Sequence, residues 1–200
     1  MPYKFKFYIG NDMNFQCNIE SQQCIADNKN GGRCSRRVCI GSKYCWTHLL
    51  FLKHLRIKNS NLPHGGKGLF AMNPQLEVNN IIFRPGDIII DYGGEIMSDA
   101  DLHDRYDDNT APYAARLKRN VVCDAACVRS AGSLANSGNN ANQNNANQNN
   151  AILRANYRTN PQKIQLKASR IIRNNTEVLL DYGDEYRFDD DTHHTTTVVR

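Results

Sequence analysis

Short apolar runs broken by turn residues, not long amphipathic periods, dominate the middle of the chain. Ile81–Phe83 and Ile88–Tyr92 are β-branched or aromatic and predict two strands. Arg84-Pro85-Gly86-Asp87 between them predicts a turn, because Pro presets φ and Gly accepts a positive φ. Val121-Val122 and Val178–Asp181 are further strand candidates. Ser98-Asp99-Ala100-Asp101 predicts a helix N-cap with an acidic first turn, leading into Leu102–Tyr106. A helix-like apolar run spans Trp46–Leu55.

This pattern divides the 200 residues into three zones. Residues 17–58 form a small cysteine-rich module. Residues 59–186 carry the strand signals and are long enough for one medium domain. Residues 187–200 form a polar tail, expected to be loosely held. Within the middle zone, residues 139–151 repeat Ala-Asn-Gln-Asn-Asn with no apolar period. Such a segment offers no core face and predicts an expanded surface loop.

Charge is uneven. Residues 1–60 hold ten Lys/Arg against three Asp/Glu, whereas the rest of the chain is slightly acidic. A basic end predicts contact with an acidic partner such as nucleic acid or a nucleosome surface, or serves solubility alone. No apolar run approaches the roughly 18 residues that span a bilayer. The first residues are too polar for a secretory signal, so an intracellular protein with no membrane contact is expected.

Five of the seven cysteines fall within residues 17–45, close to a histidine. In a chain with no export signal, clustered Cys and His predict metal binding rather than disulfides. Cys24, Cys34, Cys45 and His48 follow the spacing C-x9-C-x10-C-x2-H. Zinc takes four N or S ligands at tetrahedral corners, and a C-x2-H knuckle supplies two of them from one turn. Gly31-Gly32 and Gly41 permit the turns. Four protein ligands would make the site structural, and Cys39 or Cys17 remains open as a replacement ligand. The segment resembles short CCCH modules of some viral and algal proteins, through Gly31-Gly32-Arg33-Cys34 and Tyr44-Cys45-Trp46-Thr47-His48.

Four segments in order carry a second resemblance. They are Gly65-Gly66-Lys67-Gly68-Leu69-Phe70-Ala71, Arg84-Pro85-Gly86-Asp87 running on to Asp91-Tyr92-Gly93-Gly94-Glu95, Asp124-Ala125 with Asn136, and Glu177 through Tyr182 to Tyr186. Together they resemble the motifs of SET-domain protein-lysine methyltransferases, here a divergent, viral- or protist-like member. The resemblance implies a mostly β fold with short helices, a β-clip-like set of small sheets with a threaded C-terminal segment. It implies S-adenosylmethionine as cofactor, with Gly66, Lys67, Gly68, Tyr92 and Asn136 beside it. Glu95 would shape the same region. Tyr182 would be the catalytic tyrosine, and Tyr113 would line the lysine channel.

The chain departs from the family around Asn136, where Ser133-Leu134-Ala135-Asn136-Ser137-Gly138 lacks the family's Arg, His, Ser and Cys. A second Asn is expected before the next strand. Asn150 is preferred because Ile152-Leu153 follow it, with Asn145 and Asn140 as rivals. Leu180 stands where the family has Phe or Tyr, which leaves the number of methyls open with a lean toward several. No second cysteine cluster follows, so Tyr186 or Phe188 would cover the adenine. The expected function is methyl transfer to a protein lysine, a histone tail being one candidate substrate and the nucleus then the site of action. The alternatives are an inactive SET-fold module that binds protein or chromatin, and a nucleic-acid binder that uses the basic zinc end.

Overall fold

The computed structural model describes residues 3–9, 13–19, 22–38, 42–63, 65–106, 111–138 and 148–182, the first two stretches by backbone alone. Strands β1 (Tyr3–Ile9) and β2 (Met13–Ile19) form an antiparallel hairpin with Tyr3 opposite Ile19. This hairpin was not among the expected elements, although Tyr-Lys-Phe-Lys-Phe alternates with the strand period of two. Cys17 lies on β2, while Cys39 and Gly41 fall outside the described residues.

The cysteine-rich segment is closed by a two-residue ladder, β3 (Gln22–Gln23) against β4 (Arg37–Val38). Its intervening turn is pinned by Asn28, whose Oδ1 accepts the N–H groups of Asn30 at 2.8 Å and Gly32 at 3.2 Å. Helix α1 (Trp46–Lys53) is shorter than the apolar run that announces it. His54 takes a left-handed φ of 53° and its N–H donates to Leu50 O at 3.0 Å, which ends the helix. Leu55 therefore opens a strand instead of closing a helix. That strand, β5 (Leu55–Asn59), pairs antiparallel with β6 (Lys67–Ala71).

Strands β7 (Ile81–Phe83) and β8 (Ile88–Tyr92) hold the expected bounds. In the turn between them Gly86 has a φ of +92°, and Asp87 Oδ2 accepts the Arg84 N–H at 2.7 Å. After β9 (Glu95–Ser98), helix α2 (Asp99–Tyr106) starts with a reciprocal cap. Asp101 N–H donates to Ser98 Oγ and Ser98 N–H donates to Asp101 Oδ2, both at 3.1 Å. Strands β10 (Ala114–Lys118) and β11 (Val121–Asp124) follow as a hairpin. A short 3-10 turn, Ala131–Leu134, leads to β12 (Asn136–Ser137).

Strands β13 (Ala151–Asn156) and β14 (Lys163–Ala168) form the longest pairing of the main domain. Then come β15 (Ile172–Arg173), β16 (Thr176–Glu177) and β17 (Leu179–Leu180). The strand expected at Val178–Asp181 is thus present as Leu179–Leu180, with Val178 a corner between two sheets. β16 pairs with β6, Val178 N–H donates to Leu69 O at 2.7 Å, and β17 crosses into another sheet.

The sheets are small: β16-β6-β5, β12-β17-β13-β14-β8, β10-β11-β9 and β15-β7. In the five-stranded sheet β17 lies between β12 and β13 and runs parallel to both. The last described strand is therefore inserted between two earlier ones, an uncommon connection. The principal core draws Leu55, Leu69, Ala71, Phe83, Leu166, Ile172, Val178 and Leu180 from several of these sheets. Leu49 of α1 enters the same core, and Tyr44 packs on both it and the cysteine cluster, so the cysteine-rich module is joined to the main domain. Residues 139–147 of the repeat and the tail from residue 183 onward, with Tyr186 and Phe188, lie outside the described residues. Among the described residues no helix is long and apolar enough to cross a membrane.

Candidate functional site

The start of β6 and the 3-10 turn before β12 meet at Asn136. Its Nδ2 donates to Gly65 O at 3.0 Å and to Lys67 O at 3.1 Å. Gly66 between them has a φ of +57°, which a side chain would resist. Asn136 Nδ2 also lies 3.3 Å from Glu177 Oε1. With Nδ2 committed, Oδ1 of Asn136 is left as an acceptor among the described residues. The side chain of Lys67 turns away to Asn59 Oδ1 at 2.6 Å, so Lys67 contributes backbone to this loop.

Glu177 carried no assigned role in the sequence. In the structure it is buried and ties three segments together. Ser60 Oγ donates to its Oε1 at 2.7 Å, Asn61 N–H donates to its Oε2 at 2.8 Å, and Asn136 supplies the third contact. Gly68 makes this approach feasible, because a Cβ there would stand 2.2 Å from Glu177 Oε1. The signal was present in the sequence, since Glu177 opens the segment that ends in Tyr182.

Tyr182 reaches the same region from the end of β17. Its hydroxyl donates to Ala135 O at 3.0 Å, one residue before Asn136. Burial raises the Tyr92 phenol, and the Tyr182 phenol raises it further. Burial is the larger cause, and together they push Tyr92 well above the usual range, so it stays neutral. Tyr92 Oη donates to Tyr113 O at 2.9 Å. Arg129 lays its guanidinium over the Tyr113 ring, 3.7 Å from the centroid, while its Nε donates to Ala125 O and Ala126 O. Arg129 was not anticipated. A cation on an aromatic face is a three-dimensional contact between positions 113 and 129 that no motif announces.

The expected residues thus fall into two bonded groups, Gly65 and Lys67 with Asn136 and, through Ala135, Tyr182, and separately Tyr92 with Tyr113. Glu95 accepts from Arg105 Nη1 at 2.8 Å, and the same nitrogen donates to fully buried Asp124 at 2.6 Å. Asn150, the preferred second Asn, donates from Nδ2 to Glu177 O at 2.9 Å and accepts from Leu179 N–H at 3.0 Å. It staples β13 to the corner between β16 and β17. Its rivals Asn140 and Asn145 lie outside the described residues.

Cys24, Cys34, Cys45 and His48 converge separately. Their ligand atoms all lie within 4.8 Å of one another. His48 Nδ1 is 3.4 Å from both Cys24 Sγ and Cys45 Sγ. The three cysteines are buried, and the donor set of three thiols and one imidazole suits a tetrahedral ion. Four protein donors would leave no coordination position for a substrate.

No family model matches the chain, and no curated protein matches it. Solved structures do. One crystal structure of the Chaetomium thermophilum polycomb repressive complex 2 is similar at 23% identity over 67% of this chain, with a TM-score of 0.50. The same complex bound to GSK126 is similar at 21% identity over 67%, with a TM-score of 0.51. In each case this chain spans 16% of the solved chain. The likeness establishes the fold, a mostly β SET-type arrangement of small sheets with short helices.

Proposed function

We propose that the chain transfers a methyl group from S-adenosylmethionine to a protein lysine and that a structural zinc ion holds its Cys/His module. The observation that carries this reading is the meeting of the Gly65–Gly68 loop, Asn136 and Tyr182 within a SET-type fold. The cofactor supplies an electrophilic methyl on a sulfonium. The residues of this chain would bind and orient around it. Peptide groups at Gly66, Lys67 and Gly68 would approach it, since the two glycines carry no side chain and Lys67 turns its own away to Asn59. Asn136 Oδ1 would accept from the ammonium of the cofactor's amino-acid end.

The acceptor lysine has an ordinary pKa of about 10.4 and must arrive uncharged. Burial among Tyr92, Tyr113 and neighbouring apolar groups disfavours an ammonium. The Arg129 guanidinium, itself buried against Tyr113, adds like-charge repulsion in the same direction. The Tyr182 hydroxyl donates to Ala135 O, so on this reading it would orient an amine N–H by accepting from it. Catalysis on this reading is proximity and electrostatic preorganisation, with no ionised base. A histone tail is a candidate substrate, since the similar complexes are polycomb repressive complexes. With a histone substrate the protein would act in the nucleus.

Methyl transfer from radiolabelled S-adenosylmethionine onto histones and peptide arrays tests the reading. Transfer is expected with the native chain and a drop of at least about tenfold in Tyr182→Phe, equivalent to roughly 1.4 kcal/mol of barrier. Unchanged transfer in that variant would remove Tyr182 from the chemistry. An inactive native chain that still binds histone peptides would favour the non-catalytic alternative.

A further inference from the structure

The Cys/His module carries a surface that methyl transfer does not use. Trp46, the single tryptophan of the chain, lies between Cys45 and His48 of the cluster and is 65% exposed. A large aromatic side chain left in water on a well-anchored turn points to a contact made elsewhere. Its backbone is anchored by the cluster members Cys45 and His48 that flank it in the chain. Trp46, Leu50 and Lys53 share one face of α1 at i, i+4 and i+7.

Cations lie on this helix and on the segments that flank it. The Arg36 guanidinium donates to the hydroxyl of Thr47, the residue after Trp46. Lys43, two residues before Cys45, is exposed, and its carbonyl accepts the N–H of exposed Ile25 at 3.0 Å. Lys53 Nζ stands 5.3 Å from the centre of the Tyr44 ring. Between residues 22 and 58 there are eight Lys/Arg and one Asp. An apolar face alone would not name its occupant, but this charge selects an acidic one.

Among acidic partners the indole discriminates. Single-stranded nucleic acid presents phosphates to cations and an unpaired base to an aromatic ring. In a duplex the bases are already stacked, and freeing one costs unstacking energy. An acidic peptide would use the cations and leave the ring uncovered. We propose that this face binds single-stranded nucleic acid, with a base stacked on Trp46 and phosphates held by Arg36, Lys43 and Lys53.

Because Trp46 is the only tryptophan, its fluorescence reports the contact directly. The zinc-loaded full chain is titrated with oligo(dT) and oligo(U) of about 15 nucleotides, near the upper end of common single-strand site sizes. Saturable quenching is expected, with affinity that falls as salt rises. Arg36→Ala and Lys43→Ala should weaken binding and flatten the salt dependence. Trp46→Ala, followed by anisotropy of a labelled oligonucleotide, should weaken binding about tenfold, and Trp46→Phe should restore most of it. Circular dichroism of both variants checks that the fold is kept. The proposal is overturned by an absence of binding, by equal affinity in a folded Trp46→Ala, or by preference for a duplex or for polyglutamate. The assay needs no methyl donor, so its outcome is independent of the methyl-transfer reading.

Discussion

Gly68 has no room for a methyl group, since its Cβ would meet Glu177 Oε1 at 2.2 Å and Asn136 Nδ2 at 3.4 Å. The carboxylate cannot swing aside without giving up Ser60 and the Asn61 N–H. Gly68→Ala should therefore cost about 1–3 kcal/mol of stability by overpacking, read from urea denaturation, and should abolish cofactor binding. Arg129 gives a signed prediction for pH. If its charge disfavours an ammonium beside Tyr113, Arg129→Met lets the bound lysine hold its proton to higher pH. The acidic limb of the kcat profile should then move to higher pH, and an unmoved limb would confine Arg129 to packing.

At the scale of elements, α2 is fastened to its sheet at both ends. The reciprocal Ser98–Asp101 cap starts it, and Tyr106 Oη and Arg105 Nη1 meet Asp124 Oδ2 at 2.9 and 2.6 Å near its end. Ser98→Ala should cost about 1 kcal/mol by loss of the cap, measured as a lower melting temperature. The Ser98 hydroxyl and N–H hold the Asp101 carboxyl below its ordinary value of 3.8. A depressed carboxyl stabilises the fold above its unfolded pKa, so this contribution should persist at neutral pH and fade only as pH falls below about 3.8.

These elements also show what a sequence can and cannot tell. The α2 cap, the Gly86 turn and strands β7 and β8 were legible because their causes are local: a hydroxyl, a φ-fixing Pro and β-branched runs. The end of α1 was not, because His54 adopts a left-handed conformation that nothing in Leu52–Leu55 requires. The split at Val178 was hidden for another reason. β16 (Thr176–Glu177) lies ahead of the apolar run and β17 within it, and only the partners β6 and β12 decide which sheet each joins. The convergence of Gly66–Gly68, Asn136 and Tyr182 followed from motif order, whereas the carboxylate of Glu177 and the stacking of Arg129 came from packing alone.

For the whole molecule, the Cys/His module poses the question of what holds it. Among the described residues its own buried cluster is Cys24, Ala26, Cys34, Val38 and Cys45, three of them metal-ligand candidates. So few apolar groups cannot offset the ordering of the segment, and metal binding is expected to supply the difference. One zinc per chain is predicted by metal analysis, falling in Cys34→Ser. Because Tyr44 and Leu49 reach the main core, chelation should also lower the melting temperature of the main domain. Burial pushes the Cys45 thiol up, but the His48 N–H and the neighbouring Cys24 and Cys34 outweigh it and bring it to about 7. Zinc uptake should therefore weaken as pH falls through about 7, where protons compete for this ligand.

The central claim is that Asn136 and the Gly65–Gly68 loop hold S-adenosylmethionine. Titration calorimetry of the zinc-loaded full chain with that compound measures it without a substrate. Saturable one-to-one binding is predicted, weakened at least about tenfold in a folded Asn136→Ala through loss of a charge-assisted hydrogen bond worth about 1.5–3 kcal/mol. No heat from the native chain, or equal affinity in the variant, would contradict it.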